Sequence, residues 1–336
     1  MDRDRTVLAP FTRLAVLSVV LAIACFPAAG QGIITTLGEC EHSPATLCAA
    51  TNTVVDAAGN IYFGSGYQIG MVDPAGVVTT IAGTGQPGTS GDGGPALSAT
   101  LGQLHQIALS GSRLCFGDAA AYKIRCVDLG TGLIQGYGTG ISGTGGDGGN
   151  VSAADFMGLW GAAFDNHGIL YVSDNLAESV RRVDFTTGII TMFAGPGPGS
   201  SGPPLGDGGP ALGANIYQPE GLAYGNGSLY IADAGNNRVR GVDLATGLIS
   251  TVAGNGTVSY LPGSDGGSAL LAGIVPSSIA VDTTGNLFAS SCCTIWQVDT
   301  GGIITTVAGA SGMSAVGIDD IPATQTMFQR ILVSCL

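Results

Sequence analysis

His42, His105 and His167 are the three imidazoles this chain could bring to a metal ion or a proton transfer. A catalytic zinc takes three protein ligands around one open position. His167 falls in a turn before a strand-like run, where exposure to solvent is expected, and His42 lies between Cys40 and Cys48. His105 alone falls in a stretch that reads as an innermost strand, so no His-based metal centre and no cofactor are expected. Carboxylates offer a second route. GDGG recurs around Asp92, Asp147 and Asp207, with the variant SDGG around Asp265. Calcium needs about six to eight oxygens and each loop brings one carboxylate, so an aspartate capping its own Gly-rich turn is the simpler expectation. A valine-aspartate pair recurs at Asp73, Asp128, Asp184, Asp243 and Asp299. Each ends a strand-like run, a position suited to starting a turn and not to catalysis. No Ser or Cys stands in a G-x-S-x-G elbow or beside a consistent His and acid set. No Gly-x-Gly pair joins a strand to a helix, so a nucleotide fingerprint is unsupported too.

The N-terminus sets the compartment in which the cysteines act. Arg3, Arg5 and Arg13 precede the apolar run LAVLSVVLAIACF (14–26), followed by PAAG. That is the layout of a signal peptide over residues 1–30, with cleavage expected after Gly30 and export as the consequence. A membrane span needs about 20 apolar residues, so the run is too short for one and no membrane insertion is expected after cleavage. LAIAC also resembles a lipoprotein signal at Cys25, with Ala22 where a larger aliphatic is usual. Cleavage takes Asp2, Asp4 and three arginines away, turning 24 acidic and 11 basic residues into 22 and 8, a formal charge of −14. An acidic surface repels phosphate backbones, which excludes nucleic acid as the expected partner. Disulfides are permitted outside the cell. Cys40 and Cys48 are close enough in sequence to staple one loop, and Cys115 and Cys126 fall on two strands expected to be antiparallel neighbours. Cys292 and Cys293 are adjacent and could form only a strained ring with each other, and Cys335 is left over.

These residues recur because the chain is an array. A period of about 55–60 residues runs through 31–336, with complete units near 39–83, 101–140, 156–195, 216–254 and 273–309. Each unit reads as four short strands. In the fourth, PEGLAYG (219–225), SLYIADA (228–234), NNRVRGVDL (236–244) and GLISTVAG (247–254) are Val-, Ile-, Leu- and Tyr-rich runs divided by Gly, Asn and Asp. Helical periodicity is absent from them, with at most one short turn near PALSATL (95–101) or PALGANI (210–216). Four antiparallel strands at this period predict an all-β chain folded as a β-propeller, ahead of a solenoid or a stacked sandwich.

PEGLAYGNGSLYIADAGNNRVRGVDLATGLISTVAG (219–254) and its four relatives resemble the NHL-repeat family of β-propellers. The long GDGGPA-containing units are similar to those of bacterial exported proteins and of the extracellular propeller of teneurins. The resemblance spans nearly the whole chain after residue 30. It implies the fold and much less about activity, because one scaffold hosts unrelated functions. It also implies an arginine after the Asn-rich turn, placed at Arg238 in the fourth unit and Arg181 in the third. QIGMVD (68–73) and SCCTIWQVD (291–299) lack it, so the first and fifth units must lose that polar contact or replace it, with cysteine chemistry as one option. Related six-bladed propellers include lyases and lactonases, the peptide-amidating lyase among them, which hold a channel metal through His and acidic ligands.

Aligning the innermost strands places His105, Trp160, Glu220 and Ser277 at one position in successive units. They should face one mouth of the central channel, and their mixed chemistry with an aromatic anchor suits binding. The expected function is an exported, non-catalytic scaffold that binds protein or glycan through this mouth or through the GDGG-loop face. A metal-dependent lyase or lactonase, and a structural module of an envelope or matrix, are the alternatives. A split sixth blade is expected from GIITTLG (32–38) and FQRILVSCL (328–336). Its two middle strands are missing, which predicts a gene product extending about 30 residues past Leu336.

Overall fold

Stretches such as SLYIAD alternate side chains between two faces, and both faces are apolar enough to be covered. In the computed structural model, which describes residues 50–197, 204–258, 265–291 and 294–309, such stretches form antiparallel sheets of four consecutive strands. The first blade holds β1 (Ala50–Val55), β2 (Ile61–Ser65), β3 (Gln68–Val72) and β4 (Val78–Ala82). The second holds β5 (Leu104–Ser110), β6 (Arg113–Asp118), β7 (Lys123–Asp128) and β8 (Leu133–Tyr137). The third holds β9 (Leu159–Phe164), β10 (Leu170–Asp174), β11 (Ser179–Asp184) and β12 (Ile189–Ala194). The fourth holds β13 (Pro219–Gly225), β14 (Ser228–Asp233), β15 (Arg238–Asp243) and β16 (Ile249–Ala253). In the fifth, β17 (Gly267–Ser268) pairs outside β21 (Ile303–Ala308), followed inward by β20 (Ile295–Val298), β19 (Leu287–Ser290) and β18 (Ser278–Val281).

The inner strands pack in the order β1, β5, β9, β13, β18. Among the described residues, β18 and β1 do not pack together as the other neighbouring pairs do. Hydrophobic clusters fill the four gaps between consecutive blades. Leu114 and Phe116 of β6 face the first blade, while Cys115 between them faces the third, which is the period-two alternation made three-dimensional. Cys115 pairs with Cys126 across β6 and β7 and is joined to it by a disulfide, as their spacing led us to expect. The Cys40–Cys48 pair, Cys292, Cys293, the signal peptide and both pieces of the expected sixth blade lie outside the described residues.

Turn chemistry explains the hairpins. Asp73 Oδ1 accepts from the N–H groups of Ala75 and Val77, and Asp299 Oδ1 from those of Gly301 and Ile303. Asp128, Asp184 and Asp243 hold their turns the same way, and those backbone hydrogen bonds keep all three carboxyls below the ordinary value.

The GDGG loops depart from the turn-capping expectation. Each lies along the outer edge of the following blade: Gly93 N–H donates to Ile134 O at 2.8 Å and Ile134 N–H returns a bond to Gly94 O at 3.0 Å. Gly148 and Gly149 bond Ile190, and Gly208 and Gly209 bond Ile249, in the same manner. The loop thus pairs an edge strand that would otherwise be exposed. Its aspartate turns inward to a buried arginine. Asp92 Oδ1 accepts from Arg125 Nε at 2.8 Å, Asp147 Oδ1 from Arg181 Nη2 at 3.0 Å, and Asp207 Oδ1 from Arg240 Nη2 at 2.7 Å.

Strand register also corrects the arginine assignment. Arg240 stands opposite Ile231 and Arg181 opposite Val172, so Arg181 matches Arg240 and not Arg238. Arg238 stands opposite Asp233 at the strand end and bonds the carbonyls of Asn236 and Asn255. In the first blade Gly70 takes the arginine position, with the Phe63 ring packed over it where a Cβ would collide. In the fifth, the fully buried Trp296 takes it, and Asp265 bonds the N–H and hydroxyl of Thr306 instead. Apolar filling takes the arginine's place at these two positions, and the cysteine option rests on Cys292 and Cys293, outside the described residues.

Candidate functional site

Register fixes the four aligned residues. Leu104 pairs with Asp118, Leu159 with Asp174 and Pro219 with Asp233, so His105, Trp160 and Glu220 each directly follow the partner of a buried aspartate. Ser277 immediately precedes β18 and its N–H bonds Ser290 O at 2.9 Å. All four are half-buried. His105 and Trp160 come together, their rings stacked at 3.9 Å between centroids and 21° between planes. Neither Glu220 nor Ser277 is stacked with them; each follows on the next strand. The Ser277 hydroxyl turns to its own blade and donates to Ser290 O at 3.2 Å.

The main chain ties these positions into a series around the channel. The Asn52 amide donates to His105 O. Ser173 Oγ accepts from Gly161 N–H and donates to Glu220 O, both at 2.6 Å. Gly221 N–H donates to Ser277 O at 2.9 Å. Glycine is required at 161, because a Cβ there would run into the Glu220 carbonyl oxygen, Ser173 Oγ and Gln106 Oε1.

Gln106 was not singled out by the sequence. Its Oε1 accepts from the N–H groups of Ala162 and Leu222 at 3.1 and 2.9 Å, and its Nε2 donates to Leu222 O at 2.8 Å. One side chain of the second blade thereby ties the inner strands of the third and fourth. The available signal was an amide at a register position where the next two blades carry Gly161 and Gly221. Further along the inner strands lies a cavity of about 220 Å³, lined by Val55, Ala108, Ala163, Phe164, Ala223 and Tyr224 among others. Gln106 also borders it, so the amide stands between the His105–Trp160 pair and this cavity.

Asp118, Asp174 and Asp233 are fully buried. Asp174 accepts from the N–H groups of Met157, Gly158 and Ala177, and Asp233 from that of Tyr217 and the Asn236 amide. Burial outweighs these bonds and pushes both carboxyls above the ordinary value. Their donors are structural, which assigns them to holding the strand starts. His167 is exposed in the turn between β9 and β10. No group of three or more potential metal ligands occurs among the described residues. No helix among them is long and apolar enough to cross a membrane.

Comparison with known proteins agrees with this architecture. No curated protein matches the chain in sequence. An auxiliary nutrient binding protein from Bacteroides thetaiotaomicron VPI-5482 is similar in structure, with TM-score 0.59 and 14% identity, over 85% of this chain and 64% of that one. A chain of a nidogen/laminin complex gives TM-score 0.52 and 15% identity, over 76% and 78%. Virginiamycin B lyase from Staphylococcus aureus gives TM-score 0.47 and 16% identity, over 77% and 69%. At identities this low, the first two likenesses speak for the fold alone. The NHL repeat model matches residues 217–241, which cover the start of the fourth blade through Gly241 of β15. The five blades of one plan among the described residues make the chain a β-propeller, and its fourth blade carries a match to the NHL repeat.

Proposed function

We propose that this propeller is an exported, non-catalytic binding scaffold whose recognition surface is the channel mouth marked by His105, Trp160, Glu220 and Ser277. The observation that carries the reading is the stacked His105–Trp160 pair, two half-buried rings on neighbouring blades. Rings offer a large contact area at low conformational cost, and a carboxylate on the next inner strand adds a polar contact. The nutrient-binding and laminin-complex likenesses fit a glycan or protein ligand. Export rests on the basic and apolar N-terminal segment. The GDGG loops are the weaker choice of surface, since their backbone is engaged with the outer strands and Asp92, Asp147 and Asp207 with arginines. Screening the purified protein on a glycan array and against extracellular-matrix proteins tests this. A hit that Trp160→Ala abolishes without loss of fold supports it. A stoichiometric, tightly held metal ion accompanied by turnover overturns it.

A further inference from the structure

Three blades share one buried device, and the third builds it with a part missing. In the second blade Lys123 and Arg125 face Asp92 and Asp118: Lys123 Nζ lies 3.0 Å from Asp92 Oδ2, and Arg125 Nη1 lies 3.3 Å from Asp118 Oδ2. Two cations there balance two carboxylates. The fourth blade has Arg238 at the position of Lys123, turned to the carbonyls of Asn236 and Asn255, while Arg240 Nη1 lies 3.2 Å from Asp233 Oδ2. The third blade has Ser179 at that position, opposite Asp174. Arg181 then stands between Asp147 and Asp174, and its Nη1 bonds the Asp155 backbone carbonyl at 2.7 Å.

Shortening a lysine or arginine to serine leaves room. A cavity of about 140 Å³ lies here, lined by Asp174, Ser179, Arg181 and Met192 and reaching solvent beside the exposed Thr144 and Pro196. Ser179 is fully buried, and its hydroxyl has no hydrogen-bond partner among the described residues although it borders this cavity. A buried hydroxyl without a partner is costly. The second blade shows what satisfies the same geometry, a primary ammonium group carried on an alkyl chain.

We propose that the cavity in the third blade binds a small primary alkylammonium ion, about the length of a lysine side chain. Its ammonium would bond the Ser179 hydroxyl and sit near the carboxylate of Asp174, while its alkyl part would lie along Met192. The site lies within the third blade and its test is separate from that of the channel mouth.

The experiment is thermal unfolding with n-butylammonium chloride against KCl at equal ionic strength, in wild type, Ser179→Lys and Asp174→Asn. Wild type should gain roughly 3–6 °C in Tm at ten times the dissociation constant, relative to KCl. Ser179→Lys, which supplies a tethered ammonium, should be more stable than wild type and lose the response. Asp174→Asn should weaken it. A wild-type response no greater than that to KCl overturns the proposal. So does an equal response in Ser179→Lys, or a response undiminished in Asp174→Asn, which decides the matter if the lysine variant does not fold.

Discussion

Replacing Arg125 by methionine tests whether the buried arginines hold the loops to the blades. Arg125 is fully buried and donates to Asp92 Oδ1, Thr100 O and Ser90 O, each at 2.8 Å, and to Asp118 Oδ2 at 3.3 Å. Methionine fills much of the volume and supplies no donor. Asp118 would remain buried with the N–H groups of Gly102 and Ala121 but no cation. Asp92 keeps Lys123 and partial access to solvent, so it loses less. Breaking one side of a buried pair costs about 3–5 kcal/mol. Ser90 and Thr100 belong to a surface loop that can open to water, which keeps the loss within that range. Arg238→Met removes two carbonyl contacts at a strand end, and about 1 kcal/mol or less is expected there. Urea unfolding should therefore show a much lower midpoint for Arg125→Met at an unchanged slope. Adding Asp118→Ser imitates the fifth blade, where Ser291 and Trp296 occupy the two positions, and should restore part of the loss. Equal costs for Arg125→Met and Arg238→Met, or a double variant weaker than the single one, would refute the reasoning.

Gly161→Ala should destabilise by about 1–3 kcal/mol, because a methyl group would separate β9 from the Glu220 carbonyl and disturb Gln106; calorimetry reads the loss. Reducing the Cys115–Cys126 bond, or replacing both cysteines by serine, should cost about 2–4 kcal/mol in chemical denaturation, since the bond closes a loop of separation 11. Asp174 has a raised carboxyl pKa, so the folded state holds its proton more tightly than the unfolded chain. Its contribution to stability should therefore fall as pH rises through the ordinary aspartate value of 3.8 and level off above the folded value. The stability difference between wild type and Asp174→Asn, followed from pH 3 upward, checks this, and an opposite slope contradicts it.

The fold was legible because each blade is specified locally. Strand β13 has the bounds of PEGLAYG, and the aspartates after the third strands take the turns their position implied. The long-range partners were not legible. Asp92 meets an arginine 33 residues away, and no turn rule contains that distance. Arg238 and Arg240 are two apart and point to the same face, so strand pairing alone decides which one is buried. Alignment gave His105 and Trp160 one position and their rings do stack, yet Gln106 beside them carries the cross-blade bonds. The first and fifth blades read as broken copies, whereas Phe63 and Trp296 fill their arginine positions with apolar volume.

Recognition at the channel mouth is tested most directly by where a ligand touches the propeller. Trp160 is half-buried, while Trp296 is 1% exposed, so the two tryptophans report on different environments. Hydroxyl-radical footprinting of the protein with a glycan recovered from the array should protect Trp160 and His105 and leave the GDGG loops unchanged. Protection confined to the loops or the outer strands, with Trp160 fully reactive, would contradict recognition at the channel mouth.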